Sequence, residues 1–327
     1  MSGEPFEPVR IGVVGMGSFG TLHALTVAGL AESELVAVVA RRQASLDAFN
    51  AQHGGVPGWL DLDRAIEASG AEAWIVASST HVHVVHTEAI LKADKPVLVE
   101  KPLSQTLVEA EKLANTVANA DASLMMGHIL LFNSEFRQLQ DELPARGPIR
   151  YLDAVRHRPV STMELLPGET PYELTMVHDL YATLALVNRA EPVAFSSQVH
   201  RMEGGAIDLA LAQLRWSDGA VASFAASFMT PRGMPPDGID RLEVFGDGWA
   251  ARLSPNPRPI EVWDECAVWP MALEIRADPA APMGMMAEEL RCFCRVVRGR
   301  EAVPVGATFD DALQVQRWLE RLQEVAG

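Results

Sequence analysis

The sequence predicts an α/β chain in two parts: a doubly wound parallel sheet over residues 1–127, then an α+β domain over residues 128–327 on a mostly antiparallel open sheet. Three observations predict it. A β-rich apolar run leads straight into a glycine turn and a helix at 9–30. Short apolar runs then alternate with helical stretches as far as residue 127, and from about residue 149 several strands are joined by hairpin turns.

Val9, Ile11, Val13 and Val14 form the run that a buried parallel strand needs. It passes into Gly15-Met16-Gly17-Ser18-Phe19-Gly20, a G-x-G-x-x-G turn opening a helix to about Leu30. In such a turn the first glycine makes the tight bend and the second lets a pyrophosphate reach the backbone. The third lets helix pack on strand. The helix N-terminus adds unpaired N–H groups and the positive end of its dipole. With a strand before it, a helix after it and a second strand at 34–39, the motif predicts a dinucleotide site. About 20 residues past the last glycine such sites normally carry an acid for the ribose 2′-hydroxyl. Here that position is Ala40, followed by Arg41 and Arg42. An acid would repel a 2′-phosphate and two guanidiniums attract it, so NADP(H) is the preferred cofactor and NAD(H) the other candidate. The competing reading of the two arginines is a solvated loop pair.

The alternation continues with a helix at 44–52, a break at 54–58, and residues 59–63 leading into a small helix that ends at Ser69. A buried strand at 73–77 ends in Ser78, Ser79, Thr80, His81, Val82 and His83. Ligands of open α/β sheets gather beyond the carboxyl ends of the strands, which places these polar residues near the cofactor. After a helix at 83–93, the strand at 97–99 ends at Glu100-Lys101-Pro102. The proline can hold Lys101 in one orientation, a cis bond being one means; an isolated lysine at a strand end would read as a surface residue. Thr106 and Glu109 form a capping box for a helix to residue 120, and a last strand at 123–127 ends at His128.

In the second half, strands are predicted at 150–155, 193–199, 209–216, 220–228 and 242–245, with a helix at 172–187 between the first two. Trp216-Ser217-Asp218-Gly219 and Gly246-Asp247-Gly248 are hairpin turns. Helices at 287–298 and 310–325 close the chain, and the stretches 255–259 and 277–284 read as loops.

A length of 327 residues exceeds one comfortable core, consistent with two domains. The composition, 48% apolar and 21% charged, is that of a globular chain. No apolar run is long enough to span a bilayer and the N-terminus lacks a secretory pattern, so no membrane partner is expected. Cys266, Cys292 and Cys294 suit a reducing cytoplasm and lack the partners of a zinc site, so no metal is expected. A formal charge of −16 argues against nucleic acid as a partner but leaves room for an anionic small molecule at a local Arg or Lys cluster.

Taken together, the first strand and glycine turn, Val97-Leu98-Val99-Glu100-Lys101-Pro102, Gly127 to Asn133, Val177-His178-Asp179-Leu180, the Trp216 hairpin and the 291–301 helix end carry a resemblance. The chain resembles the Gfo/Idh/MocA family (glucose–fructose oxidoreductase, inositol dehydrogenase and MocA) over nearly its full length. The resemblance implies a Rossmann domain and a second domain whose open sheet makes contacts in a homo-oligomer, a dimer or tetramer. It also implies NAD(P)-dependent oxidoreduction of a small-molecule substrate: a sugar, sugar acid, cyclitol or nucleotide sugar.

Residue by residue, Lys101 matches the family's active-site lysine and His178 its pocket histidine. These roles suit hydride transfer, in which an alcohol gives up a proton as its carbon loses hydride. His178 would exchange the proton, and Lys101 would position the hydroxyl and stabilise developing negative charge. A lone histidine would instead read as a core residue satisfied by a neighbour, or as one paired to Asp179. The family commonly has an aspartate four residues before this histidine; here that position is Leu174, with Glu173 one residue off and turned about 100° around a helix. Further candidate substrate contacts are His128, Asn133, Asp179 and Arg156, the last beside His157 and Arg158 in a basic cluster that suits a carboxylate or phosphate or forms a solvated sheet edge. The expected activity is thus an NADP-preferring oxidoreductase. The alternatives are a non-catalytic NADP-binding sensor, for which Leu174 is the favouring feature, and an enzyme reducing an unsaturated ring or imine.

Overall fold

Short apolar runs, mostly buried along their length, build the first sheet. The computed structural model describes residues 7–232, 234, 239–256, 262, 263, 265, 267, 268, 280 and 282–326. Its first strands are β1 (Val9–Val14), β2 (Ser33–Val39), β3 (Gly58–Trp59), β4 (Ala73–Val76), β5 (Val97–Glu100) and β6 (Leu124–Gly127). All pair in parallel, in the order β3-β2-β1-β4-β5-β6. Parallel neighbours need long crossovers, supplied by α1 (Ser18–Gly29), α2 (Gln43–His53), α3 (Leu62–Ala68), α4 (His83–Lys92), and the pair α5 (Leu107–Glu111) and α6 (Ala114–Asn119). The order reverses between β1 and β4, where the carboxyl ends of the strands open a crevice for ligands.

The core of this sheet includes Val14, Val39, Trp74, Val76, Ile90, Val97, Val99 and Met126. Each such side chain taken out of water contributes about 1.5–3 kcal/mol. Trp74 is fully buried, and its ring lies where a Cβ on Gly12 would be, 2.4 Å away, so strand β1 must be glycine there. Two local expectations differ from the structure. Gly58 and Trp59 pair with Val38 and Val39 as an edge strand, a two-residue element too short to leave a periodic pattern. The helix expected from Thr106 to residue 120 is two helices, although Thr106 does cap the first by accepting the Glu109 N–H at 3.3 Å.

The second sheet comprises β7 (Ile149–Pro159), β8 (Ala194–Arg201), β9 (Ile207–Arg215), β10 (Val221–Thr230), β11 (Ile239–Gly246) and β12 (Trp249–Leu253), ordered β12-β11-β7-β10-β9-β8. Only β7 and β10 run parallel; the other neighbours are antiparallel. The strands alternate. Leu152, Ala154, Phe224, Leu242 and Val244 are buried, while Tyr151, Leu211, Ile239 and Phe245 on the opposite face are exposed. At the first hairpin the Trp216 N–H donates to the Ala220 carbonyl at 2.9 Å, and Gly219 takes φ +90°. The helices of this part are α7 (Ser134–Arg146), α8 (Thr162–Leu165) and α9 (Val177–Leu186). The expected helix at 172–187 is a π-turn, Tyr172–Met176, followed by α9. Two closing helices follow, α10 (Gly284–Val297) and α11 (Phe309–Glu324).

The chain forms two units, Met1–Phe132 with Ile275–Leu313, and Asn133–Glu274 with Gln314–Gly327. The expected division at 127/128 carried with it a C-terminal helix packing back on the first domain; here the break falls at Phe132/Asn133 and the segment that returns to the first unit is Ile275–Leu313. Arg298, just past α10, donates to both Glu72 carboxylate oxygens at 3.1 Å and to the Pro8 carbonyl at 2.8 Å. Its guanidinium holds the Glu72 carboxyl down at about 2. The last turns of α11 belong to the second unit, where Trp318 donates to Glu191 at 2.8 Å and Gln314 to the Arg189 carbonyl at 3.0 Å. Of the expected loops, positions 257–259, 277–279 and 281 lie outside the described residues, as does Cys266.

Candidate active site

The glycine turn sits at the reversal point of the first sheet. Gly15 has φ +97°, and a Cβ there would lie 2.6 Å from the backbone of Ala77 and Ser78. A Cβ on Gly20 would fall 1.7 Å from the Gly15 carbonyl oxygen, so turn and helix touch backbone to backbone. At Gly17 a Cβ would meet nothing within 4 Å: this is the open side, where a phosphate can reach the chain. Helix α1 begins there with no side-chain cap and no acid in its first turn, which leaves its positive end unneutralised.

A cavity of about 510 Å³ opens over this turn. Gly15, Met16, Gly17, Ser18 and Phe19 form part of its wall, Ala40, Arg41 and Arg42 another, and Ser78 and Ser79 a third. Both arginines are exposed, and Arg42 is the residue from which α2 starts. The donor set and the open face at Gly17 fit an adenine dinucleotide. His81 and Val82, from the stretch expected near the cofactor, also line the cavity; sequence reasoning missed Ser45, Leu60, Leu62 and His86, which line it too. Ser45 had a readable signal, since it lies in the first turn of the helix that Arg42 opens. His86 has its ring 3.1 Å from the Ser78 hydroxyl, and burial keeps it below the usual histidine range. Gly20 lies buried beneath the turn, and Thr80 starts a single 3₁₀ turn, Thr80–Val82.

Other residues expected near the cofactor are committed to the scaffold. His83 is buried with Nδ1 2.9 Å from the Pro102 carbonyl and Nε2 2.8 Å from the Ser78 carbonyl, so both ring nitrogens tie backbone rather than face the cavity. Glu100 is buried; it accepts from the Lys101 N–H at 3.2 Å and lies 2.7 Å from His23 Nε2. Burial pushes its carboxyl up, but the hydrogen bond and charge of His23 outweigh that and hold it below the usual range. Glu289 of α10 completes a buried group with His23 and Glu100, ligand atoms within 4.8 Å of one another, and burial raises its carboxyl well above the usual range. Lys101 follows β5, half-buried, and its peptide bond to Pro102 is cis.

Two expected substrate contacts are structural. His128 is buried, its Nδ1 2.5 Å from the Gly306 carbonyl oxygen, and burial pushes it down to about 4. Asn133 is fully buried; its side chain accepts the Phe136 N–H at 3.0 Å to cap α7 and donates to the Pro255 carbonyl at 3.2 Å. A polar side chain at the head of a helix commonly has such a capping role.

In the second unit, His178 stands half-buried in the first turn of α9, its Nδ1 2.7 Å from the Tyr181 hydroxyl. Tyr181 is fully buried, and the two rings meet edge to face with centroids 5.5 Å apart. Asp179 turns to the other side and takes both its oxygens to Arg156 Nε at 3.0 Å. Arg156 also donates to Asp240 at 3.1 Å, and Arg158 donates to Asp240 at 2.6 and 3.0 Å. The expected basic cluster is therefore a buried ion network, its charges spent on each other rather than offered to a ligand. Burial outweighs Arg156 at Asp179 and pushes that carboxyl up to about 6, whereas Asp240, facing two guanidiniums, stays low. Glu173, the nearest acid before His178, accepts instead from Thr170 and Gln323.

A family model described as an oxidoreductase family with an NAD-binding Rossmann fold matches residues 9–128. The chain is 27% identical over 252 residues to a myo-inositol 2-dehydrogenase of Thermotoga maritima, covering 73% of each. It is 29% identical over 219 residues to a UDP-N-acetylglucosamine 3-dehydrogenase of Acidithiobacillus ferrooxidans, covering 67% of each. Its fold is also that of a Lactobacillus casei scyllo-inositol dehydrogenase solved with NAD(H) and scyllo-inositol, at a TM-score of 0.83 and 20% identity over 98% of this chain and 97% of that one. With its glycine turn and strand order, the segment 9–128 is the NAD-binding Rossmann part of the Gfo/Idh/MocA oxidoreductase family, and the longer chain is similar to dehydrogenases that act on cyclitols and nucleotide sugars.

Proposed function

We propose that this chain is an NADP-preferring oxidoreductase that moves hydride between nicotinamide and a secondary alcohol or carbonyl of a sugar, sugar acid, cyclitol or nucleotide sugar. That it is an NAD(P)-dependent dehydrogenase is supported by its Rossmann match and its dehydrogenase relatives; the finer reading rests above all on Arg41 and Arg42 in the wall of the dinucleotide cavity, beside Ala40 where an acid would stand. Gly15 to Gly20 would cradle the pyrophosphate, and Arg41, Arg42 and Ser45 would hold the 2′-phosphate. When bound, the nicotinamide supplies the hydride acceptor or donor.

The chain's own residues handle the proton and the charge. His178 takes the hydroxyl proton in oxidation and returns it in reduction. Lys101 donates to the substrate oxygen, orienting it and stabilising the negative charge that grows as the proton leaves. The exposed apolar residues Tyr151, Leu211, Ile239 and Phe245 on one face of the second sheet support assembly into a homo-oligomer through that face. Cytoplasmic placement is supported by Cys292 and Cys294, both buried as free thiols. No helix among the described residues is long and apolar enough to cross a membrane.

Leu174, with Glu173 engaged by other residues, favours a second reading, a non-catalytic NADP-binding sensor. One experiment separates the two: fluorescence titration with NADPH and NADH, then absorbance at the reduced-nicotinamide band with a panel of sugars, sugar acids and cyclitols. NADPH binding with turnover supports the dehydrogenase. Binding without turnover on every compound supports the sensor, and tighter binding of NADH overturns the cofactor preference.

A further inference from the structure

A histidine that exchanges a proton in hydride transfer needs its ring orientation and tautomer set by a partner on the far nitrogen. In this chain the position one helical turn before His178 is Leu174, and the carboxylate of Glu173 is held by Thr170 and Gln323. The partner comes from the turn that follows. Tyr181, three residues on and on the same helix face, brings its hydroxyl to 2.7 Å from Nδ1 of His178. Its ring is fully buried and meets the imidazole edge to face at 5.5 Å, so the hydroxyl cannot swing away without disturbing the core. We propose that Tyr181 is the positioning residue of this enzyme, fixing His178 so that Nε2 exchanges the proton with the substrate.

The chemistry of a phenol suits that task. Its oxygen accepts from Nδ1–H while Nε2 holds a lone pair for the substrate hydroxyl, and goes on accepting once the ring is an imidazolium. In oxidation the substrate O–H proton passes to Nε2 as the carbinol C–H bond breaks. The electron pair of that bond leaves as hydride for the nicotinamide, and the oxygen keeps its electrons to form C=O. Tyr181 gains and loses nothing. Being uncharged, it orients the ring without the full counter-charge of a carboxylate. Arg156 of β7 interacts with Tyr181 and is itself paired with Asp179 of α9 and Asp240 of β11, which also holds Arg158 of β7.

The inference rests on His178 being the acid/base group proposed above, and the test keeps the two apart. Tyr181→Phe retains the ring and removes the oxygen. With the substrate found in the panel, kcat should fall about tenfold while KM stays within about twofold. The acid limb of the kcat profile for oxidation should also move to lower pH, because the imidazolium loses an acceptor. In parallel, ¹⁵N NMR of the histidine rings, with His178 assigned by its loss in His178→Gln, should show the wild-type ring as one tautomer protonated at Nδ1 and the Phe variant as a mixture. A Phe variant with unchanged kcat, pH limb and ring tautomer overturns the proposal, even if it melts lower. If the wild type turns over nothing, the acid/base reading fails instead, and with it the role of Tyr181 in catalysis; the NMR then reports only whether the pair exists.

Discussion

Asp179, the residue directly after His178, lies with both carboxylate oxygens 3.0 Å from Nε of Arg156. Neighbours in sequence, about 100° apart around the helix, thus take different partners: His178 turns to Tyr181, and Asp179 joins a buried network that anchors α9 to β7 and, through Asp240, to β11.

Removing the cation from that network should cost far more than neutralising one acid. Arg156→Ala leaves Asp179 without its partner and Asp240 with Arg158 and Asn256 alone. Breaking a buried pair from one side costs about 3–5 kcal/mol. Asp179→Asn keeps an acceptor for Nε and removes a carboxyl that burial already pushes up to about 6, so its cost should stay within about 1 kcal/mol. Urea unfolding of both variants at pH 7 measures the difference; equal losses would mean that the Asp179 charge carries the network.

His128 predicts an acid-side loss of stability. Burial pushes the imidazole down to about 4 from its ordinary 6.5. The unfolded chain therefore binds this proton first, so the contribution is full above pH 6.5 and is lost as pH falls towards 4. The span corresponds to about 3 kcal/mol. His128→Asn, which can still donate to the Gly306 carbonyl, should lose stability less steeply between pH 6.5 and 4.5. Denaturation midpoints across that range check it, and parallel curves would remove His128 as the cause.

Glu289 predicts the opposite sign. Its carboxyl is raised well above the usual range by burial, with Glu100 beside it adding to the effect. A neutral acid held in the core stabilises fully at pH values below 4.5, and that contribution fades as pH rises through the folded value. Glu289→Gln does not titrate, so its melting temperature should gain on wild type steadily from pH 5 to pH 9. A constant offset would show that Glu289 is not the titrating group.

What could be read from the sequence followed from periodicity and from chemistry that is local. The glycine turn, the alternation up to residue 127 and the hairpin at Gly219 are contiguous signals, and the structure bears out the fold they predict. The errors are of other kinds. His83, His128 and Asn133 are polar residues at strand or helix ends, a pattern shared by ligand contacts and by caps and carbonyl ties; which one applies depends on partners such as Gly306 and Pro255, more than a hundred residues away in two of the three cases. Arg156 looked cationic because Asp240, its second acid, arrives from another strand. The π-turn at Tyr172–Met176 leaves no mark in an apolar pattern. Tyr181 could have been found, since position i+3 on a helix is within reach of His178.

The cofactor preference has the sharpest test. Arg41 and Arg42 are exposed on the cavity wall, where the 2′-phosphate of NADPH is proposed to lie, and α2 starts immediately after them with Ser45 in its first turn. Hydrogen bonds to a charged group contribute about 1.5–3 kcal/mol, which is roughly a 10- to 100-fold effect on affinity. The double change Arg41→Ala, Arg42→Ala should therefore raise the Kd for NADPH by about 10- to 100-fold and leave that for NADH within about threefold. Because both guanidiniums face solvent, the wild-type preference for NADPH should also narrow as salt is raised from 0.05 to about 0.5 M. Fluorescence titrations with the two dinucleotides at both salt concentrations measure it. A double variant that weakens NADH as much as NADPH would place the arginines on the pyrophosphate or adenine rather than the 2′-phosphate. No change with either dinucleotide would make them a solvated loop pair.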